Sequence, residues 1–261
     1  MAGVVIPTSL PKFTYSNTNY TAELKSGWGW VIRFYSSGTL TFTEDQVIDV
    51  HILGGGGSGG GGGASVGGGG GGGYQTMKYG INVTAGTQYP IVVGSGASFW
   101  DIGGSRGGTS SAFDLSAQGG GGGKHGDSKN TWAAGGDGGT GNGATRDWSA
   151  GSNTVHEFND ASFPIYGGGG GHGNGGVGGS PYGGNGNSDA RGYGGGGGGG
   201  NIATEEPYYD YGGAGGQGLV AIRNSSIDTY PIVFNGFGTV ESFSFNGVTP
   251  THMTFNTKTL F

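Results

Sequence analysis

Apolar and polar positions alternate early in this chain, in short runs separated by turn residues. Residues 28–35 (WGWVIRFY) form the first run, and Ser36, Ser37 and Gly38 follow as a turn. Residues 39–43 (TLTFT) form the second, ended by Glu44 and Asp45, and residues 46–53 (QVIDVHIL) form the third. A period of two with β-branched and aromatic residues predicts strands. In the third run Ile48, Val50 and Ile52 fall on one face, and Val47, Asp49 and His51 on the other. The pattern predicts antiparallel strands with one buried face. Residues 79–84 and 88–94 resume it around a hairpin-like turn at Ala85, Gly86 and Thr87. Residues 110–117 (SSAFDLSA) suggest a further short strand, and residues 218–223 (GLVAIR) a closing one. Nothing in the chain carries a 3.6-residue apolar period, so almost no helix is expected.

Between these runs the pattern gives way to glycine. Residues 54–73 read GGGGSGGGGGASVGGGGGGG, and shorter runs occupy 119–123, 167–171 and 194–200. A glycine run is either a flexible linker or an extended helix with about three residues per turn and about 3.1 Å rise. Such helices have no internal hydrogen bonds, but side by side they can exchange backbone N–H and C=O bonds, because no Cβ keeps them apart. Several runs of similar length, separated by loops, favour packed rods. In that arrangement Ser58 and the Ala64, Ser65, Val66 interruption mark a seam or a turn between rods. The expected fold class is mainly β with almost no helix: antiparallel, jelly-roll-like strands flanking a bundle of packed polyglycine-II helices, with a small C-terminal β module.

Composition sharpens this picture. Glycine supplies 70 of 261 residues, far above the usual share of about 7%. Aromatic content of 12% and a charged fraction of only 11% argue against a disordered chain. Cysteine is absent, which fits a protein made in a reducing cytoplasm. A net charge of −6 argues against nucleic acid as the main partner. Residues 1–13 show no secretory signal, and no stretch is long and apolar enough to span a membrane. Three segments are expected: an N-terminal arm over 1–26, a glycine-rich domain over 27–225 and a C-terminal module over 226–261. In the last, Phe-Asn motifs recur at Phe234, Phe245 and Phe255, about ten residues apart.

The sequence GTLTFTEDQVIDVHILGGGGSGGGGG (38–63), followed by GGGGGGGYQTMKYGINVTAGTQYPIVVGSGA (67–97), resembles a glycine-rich domain recurrent in phage tail and bacterial surface proteins. A related pattern occurs in the extracellular glycine-rich domain of anaplastic-lymphoma-kinase-type receptors. The later glycine runs and aromatic loops are similar to the receptor-binding domain of T-even-type phage tail-fibre adhesins. The Phe-Asn-Gly tail resembles short C-terminal modules of gut-phage structural proteins. These resemblances imply a polyglycine-II bundle whose variable loops contact a host surface at one end. The fibre-attachment domain that precedes the glycine-rich part of T-even adhesins has no counterpart here.

Motifs for catalysis are accidents of composition. GxGxxG recurs without a strand–helix context, and Ser58 matches a nucleophile elbow only inside a glycine run. His125 with Asp127, and His172 with Asn174, lack the spacing of a metal site. The only paired carboxylates with a glycosidase look are Glu157 with Asp160 and Glu205 with Asp210. No enzyme activity, cofactor or metal is expected. The loops are more informative: Trp100, Trp132 and Trp148 sit in polar stretches, and Tyr208, Tyr209 and Tyr211 flank Asp210. Aromatic faces beside carboxylates and amides suit a carbohydrate or protein surface; the same rings could instead cap the bundle. The expected function is a virion-surface tail or fibre adhesin, synthesised in the host cytoplasm. It would bind a host glycan or surface protein and contact other virion proteins through its N-terminal arm or C-terminal module, with a homo-oligomer as one form. The alternative is a structural virion component: a head fibre, decoration protein or baseplate cap.

Overall fold

β-Branched and aromatic residues suit a pleated, half-buried surface, and the alternating runs fold accordingly. In chain order the strands are β1 (Phe13–Tyr15), β2 (Tyr20–Lys25), β3 (Gly29–Phe34), β4 (Gly38–Phe42), β5 (Gln46–Leu53) and β6 (Gln75–Val83). They continue with β7 (Gln88–Val92), β8 (Ser110–Ala112), β9 (Leu115–Ala117), β10 (Val155–His156), β11 (Ile165–Tyr166) and β12 (Leu219–Asn224). The structure is a computed structural model, and it describes residues 7–26, 28–99, 102–127, 133–139, 143, 155–173, 178–179, 182–202 and 210–225. These all belong to one compact unit, Val4–Asp228. The Phe-Asn motifs of the tail lie outside the described residues.

Two five-stranded sheets, ordered β1-β4-β7-β8-β9 and β2-β3-β12-β5-β6, face each other, and every strand pairing is antiparallel. Between them lies an apolar core of Trp30, Ile32 and Phe34 from β3, Leu40 and Phe42 from β4, Ile48, Val50 and Ile52 from β5, and Val220 and Ile222 from β12. The sandwich is nearly closed at its sides. Tyr15 packs edge-on against Tyr20 at one side, and Thr76 donates to the Ser116 carbonyl at 2.6 Å on the other. The N-terminal segment thus contributes a strand to each sheet. The predicted strand over 110–117 is a tight hairpin: β8 and β9 join through Phe113 and Asp114, both at positive φ. Helix is confined, among the described residues, to a single 3-10 turn at Glu157–Asn159.

One expectation is corrected. Strand β5 does not have a single buried face. Ile48, Val50 and Ile52 face the core, but Asp49 and His51 are buried too, under a hairpin described below; only Val47 is exposed on that side.

At one end of the sandwich the strands run on into glycine. Leu53 pairs with both Gln75 and Leu219, so β5, β6 and β12 reach that end together. The N–H groups of residues 54–63 then address three neighbours in rotation. Gly54, Gly57 and Gly60 donate to Tyr74, Gly71 and Gly68; Gly55, Ser58 and Gly61 to Gly108, Ser105 and Ile102; Gly56, Gly59 and Gly62 to Gly216, Gly213 and Asp210. Each set of partners steps backward by three as the donors step forward by three, so these neighbours run antiparallel. The carbonyls receive parallel neighbours: Gly120, Gly123 and Gly126 donate to Gly55, Ser58 and Gly61, while Gly197 and Gly200 donate to Gly57 and Gly60. Ala97 donates to Gly56 and completes a ring of six segments around 54–63. The close spacing excludes side chains: a Cβ added at Gly59 would stand 1.9 Å from the Gly198 carbonyl oxygen. Ser58 is accommodated on the face towards 102–108, where its Oγ accepts the Ser105 N–H at 2.8 Å. Ala64, Ser65 and Val66 form the turn into the next glycine segment, with Gly63 donating to Ser65.

Candidate recognition tip

The far end of the bundle is built from loop anchors. Gly61 donates to Ile102 at 2.7 Å and accepts from Gly126 at 2.9 Å, and Gly62 and Asp210 exchange both backbone bonds. The Asp210 carboxylate also accepts the Asn201 N–H at 3.1 Å. Nδ1 of His125 lies 2.8 Å from the Gly61 carbonyl oxygen. Ile102, Gly126 and Asp210, which lie beside the stretches 100–101, 128–132 and 203–209, are therefore bonded to the last turn of the central glycine segment. Around this end stand exposed apolar side chains: Phe99 at 39%, Ile102 at 38%, Ile202 at 46% and Tyr211 at 52% of full exposure. Exposed apolar side chains gathered at one end make that end a candidate interaction surface.

Of the six aromatic residues expected to bind a ligand, Tyr211 is described, and it stands exposed at this tip. Trp100, Trp132, Trp148, Tyr208 and Tyr209 lie outside the described residues. The anchors of the loops that carry Trp100, Trp132, Tyr208 and Tyr209 converge at the tip. Those of the Trp148 loop do not: Gly143 packs beside Gly69 midway along the bundle, and Val155 pairs with Tyr166 beside the sandwich. Ile102 and Ile202 were not singled out from the sequence, because an isolated isoleucine in a short polar stretch carries no periodic signal. Among the described residues no cluster of three or more histidines and acids could hold a metal ion.

The carboxylate pair Glu157 and Asp160 has a structural role. Strands β10 and β11 pair as a hairpin around the 3-10 turn and cover the outer face of the second sheet. Glu157 is fully buried there. Nε and Nη2 of Arg33 donate to its two oxygens at 2.7 and 2.9 Å, and the Tyr166 hydroxyl donates at 2.9 Å. Nη1 of Arg33 reaches Glu23 at 2.6 Å. Burial alone would lower the Arg33 pKa, but the Glu157 carboxylate and then Glu23 hold the guanidinium above its ordinary value. Burial and the adjacent Glu157 charge both push the Tyr166 hydroxyl up. A second pair joins Nε of Arg223 to Asp49 at 3.0 Å, with Trp28, Phe158 and Phe163 against the guanidinium. Asp160 accepts from the Ser162 backbone and hydroxyl, which outweigh its slight burial and lower its pKa. Glu205, of the other pair, lies outside the described residues.

A two-sheet antiparallel sandwich, drawn out at one end into hydrogen-bonded glycine segments that carry loops, defines a glycine-rich β domain. The family described as "Glycine-rich domain" matches residues 35–225, and the chain belongs to it. No curated protein matches the chain. Among the described residues no helix is long and apolar enough to cross a membrane.

Proposed function

We propose that this protein is a non-enzymatic component of a phage virion surface, a tail or fibre adhesin that presents its tip loops to a host glycan or surface protein. The observation that carries the reading is the convergence of three loop anchors and four exposed apolar side chains on one end of a backbone-bonded bundle. We read the glycine segments as polyglycine-II rods, since a three-residue rotation of partners is what a threefold extended helix requires. The first and last described residues lie at the opposite end: Pro7 packs near Gly29, and Ser225 donates to Val47 at 2.8 Å. Attachment at that base and recognition at the tip suit an elongated adhesin.

The base also supports the second reading, a structural virion component. It holds a cavity of about 250 Å³ lined by Pro7, Leu10, Lys12, Trp30 and Glu44, and Leu10, Leu24 and Val47 are exposed near it. Pull-down on whole bacterial cells separates the two. The adhesin reading expects wild type to bind, with loss of binding in Trp132→Ala and Tyr211→Ala. Equal binding by all three removes tip recognition, and no binding by wild type favours the structural reading.

A further inference from the structure

The hairpin over residues 155–166 closes on a polar layer that it leaves incompletely bonded. Both ring nitrogens of His51, Oε1 of Gln75 and Nη1 of Arg223 are buried without a hydrogen-bond partner. Such groups are rare in native proteins and call for a reason. The ring of His51 is packed against Phe158 and Tyr166 of the hairpin, with centroids 6.0 and 6.4 Å away. Gln75 approaches the imidazole from β6 without completing a bond.

The charged groups around His51 are already committed. On its own strand Asp49 is paired to Arg223 of β12, and on the hairpin Glu157 is paired to Arg33 of β3. The Tyr166 hydroxyl is spent on Glu157, and the Tyr79 hydroxyl of β6 donates to the Phe158 carbonyl. Asp160, at the hairpin's exposed edge, is held by Ser162. Among the described residues no carboxylate around His51 is left over to balance an imidazolium. The hairpin itself is under strain at Phe158, whose φ of +56° lies in a region that bulky side chains rarely occupy.

We propose that this hairpin is an acid-released lid: His51 can take a proton only when residues 155–166 lift from the sheet, so acid favours an open form that bares Arg33, Arg223 and the aromatic side chains beside them. Burial holds the His51 imidazole down at about 4, against 6.5 for a free imidazole and a small opposing push from Gln75. The lifted form therefore binds a proton that the closed form refuses. Closure is at full strength above about pH 6.5, weakens as pH falls from there, and loses nothing further from this group below about pH 4. Across that window the open-to-closed ratio rises on the order of 100-fold.

Amide hydrogen exchange of residues 155–166, corrected for the intrinsic pH dependence and referred to β3, reads this directly. Wild type is expected to lose on the order of 100-fold protection in the lid between pH 6.5 and 4 while β3 stays protected. His51→Phe, which keeps a ring and removes the proton site, is expected to hold its lid protection across the same range. His156, also on the hairpin, has Nδ1 3.3 Å from the Phe163 carbonyl oxygen, and His156→Gln is expected to keep the wild-type transition. Unchanged lid protection in wild type overturns the proposal, and so does the same loss in His51→Phe. If His51→Phe does not fold, imidazole NMR of wild type decides: titration of His51 near 6.5 with the lid still protected overturns it, and titration that tracks loss of protection supports it.

Discussion

Arg33 and Glu157 stand 124 positions apart in sequence and meet in two parallel hydrogen bonds beneath the hairpin. Both are buried, so their partnership matters most when it is broken: removing one ion strands the other in a low-dielectric layer. Glu157→Ala is expected to cost roughly 3–5 kcal/mol in urea unfolding. The double replacement Arg33→Met with Glu157→Leu is expected to recover most of that loss, because no buried charge is then left unpaired; Glu23, which also loses Arg33, is exposed. Little of this layer was legible beforehand. Arg33 and Arg223 alternate with core residues in β3 and β12, so a period of two assigns them to a solvent face. The covering hairpin is short, glycine-poor and remote in sequence, and nothing at Glu157 announces a partner on another element. Asp49 and His51 were misjudged for the same reason: alternation tells which face a residue takes, and says nothing of what lies on that face.

At the level of elements, the strands from β3 to β9, with β12, and the glycine segments were readable for opposite reasons, whereas β1 and β2 lay in the expected arm and β10 and β11 gave no signal. The strands carry specific side-chain patterns, and the glycine runs are conspicuous for having none. What could not be read was which run lies beside which, since every glycine offers the same N–H and C=O. The structure supplies that order through the strands, whose register at Leu53, Gln75 and Leu219 sets the starting phase of the segments they feed. The central segment is intolerant of any side chain that does not find a gap, as Ser58 does. Gly59→Ala must displace the Gly198 backbone and is expected to lose at least about 3 kcal/mol or to prevent folding. Gly103→Ala meets nothing within 4 Å and is expected to stay within about 0.5 kcal/mol of wild type. Thermal unfolding of the two proteins, with matching circular dichroism as the check on fold, separates a packed bundle from a set of linkers.

Taken as a whole, the described unit has two unlike ends joined by backbone hydrogen bonds. Stability is concentrated in the sandwich core and the glycine lattice, while the exposed apolar residues at the tip contribute little to either. Tyr211→Ala is therefore expected to unfold within about 0.5 kcal/mol of wild type, even where it abolishes capture by cells. A large stability loss would mean that Tyr211 caps the bundle instead of serving recognition. The loop aromatics stood out in the sequence because they interrupt glycine. That three of their loops share an anchor became visible only through the partners of Gly61 and Gly62.

Strand β12 has a consequence for how the molecule is made. It pairs with β3 on one side and β5 on the other, yet it is the last described strand to leave the ribosome. Until residues 219–224 emerge, β3 and β5 present unpaired inner edges, and the glycine segments between them have no fixed frame. Closure must then wait for the whole intervening chain, so productive folding needs long loops to close. A nascent chain whose β12 has not yet emerged would be an open intermediate with two unpaired inner strand edges, sealed only when β12 inserts between β3 and β5.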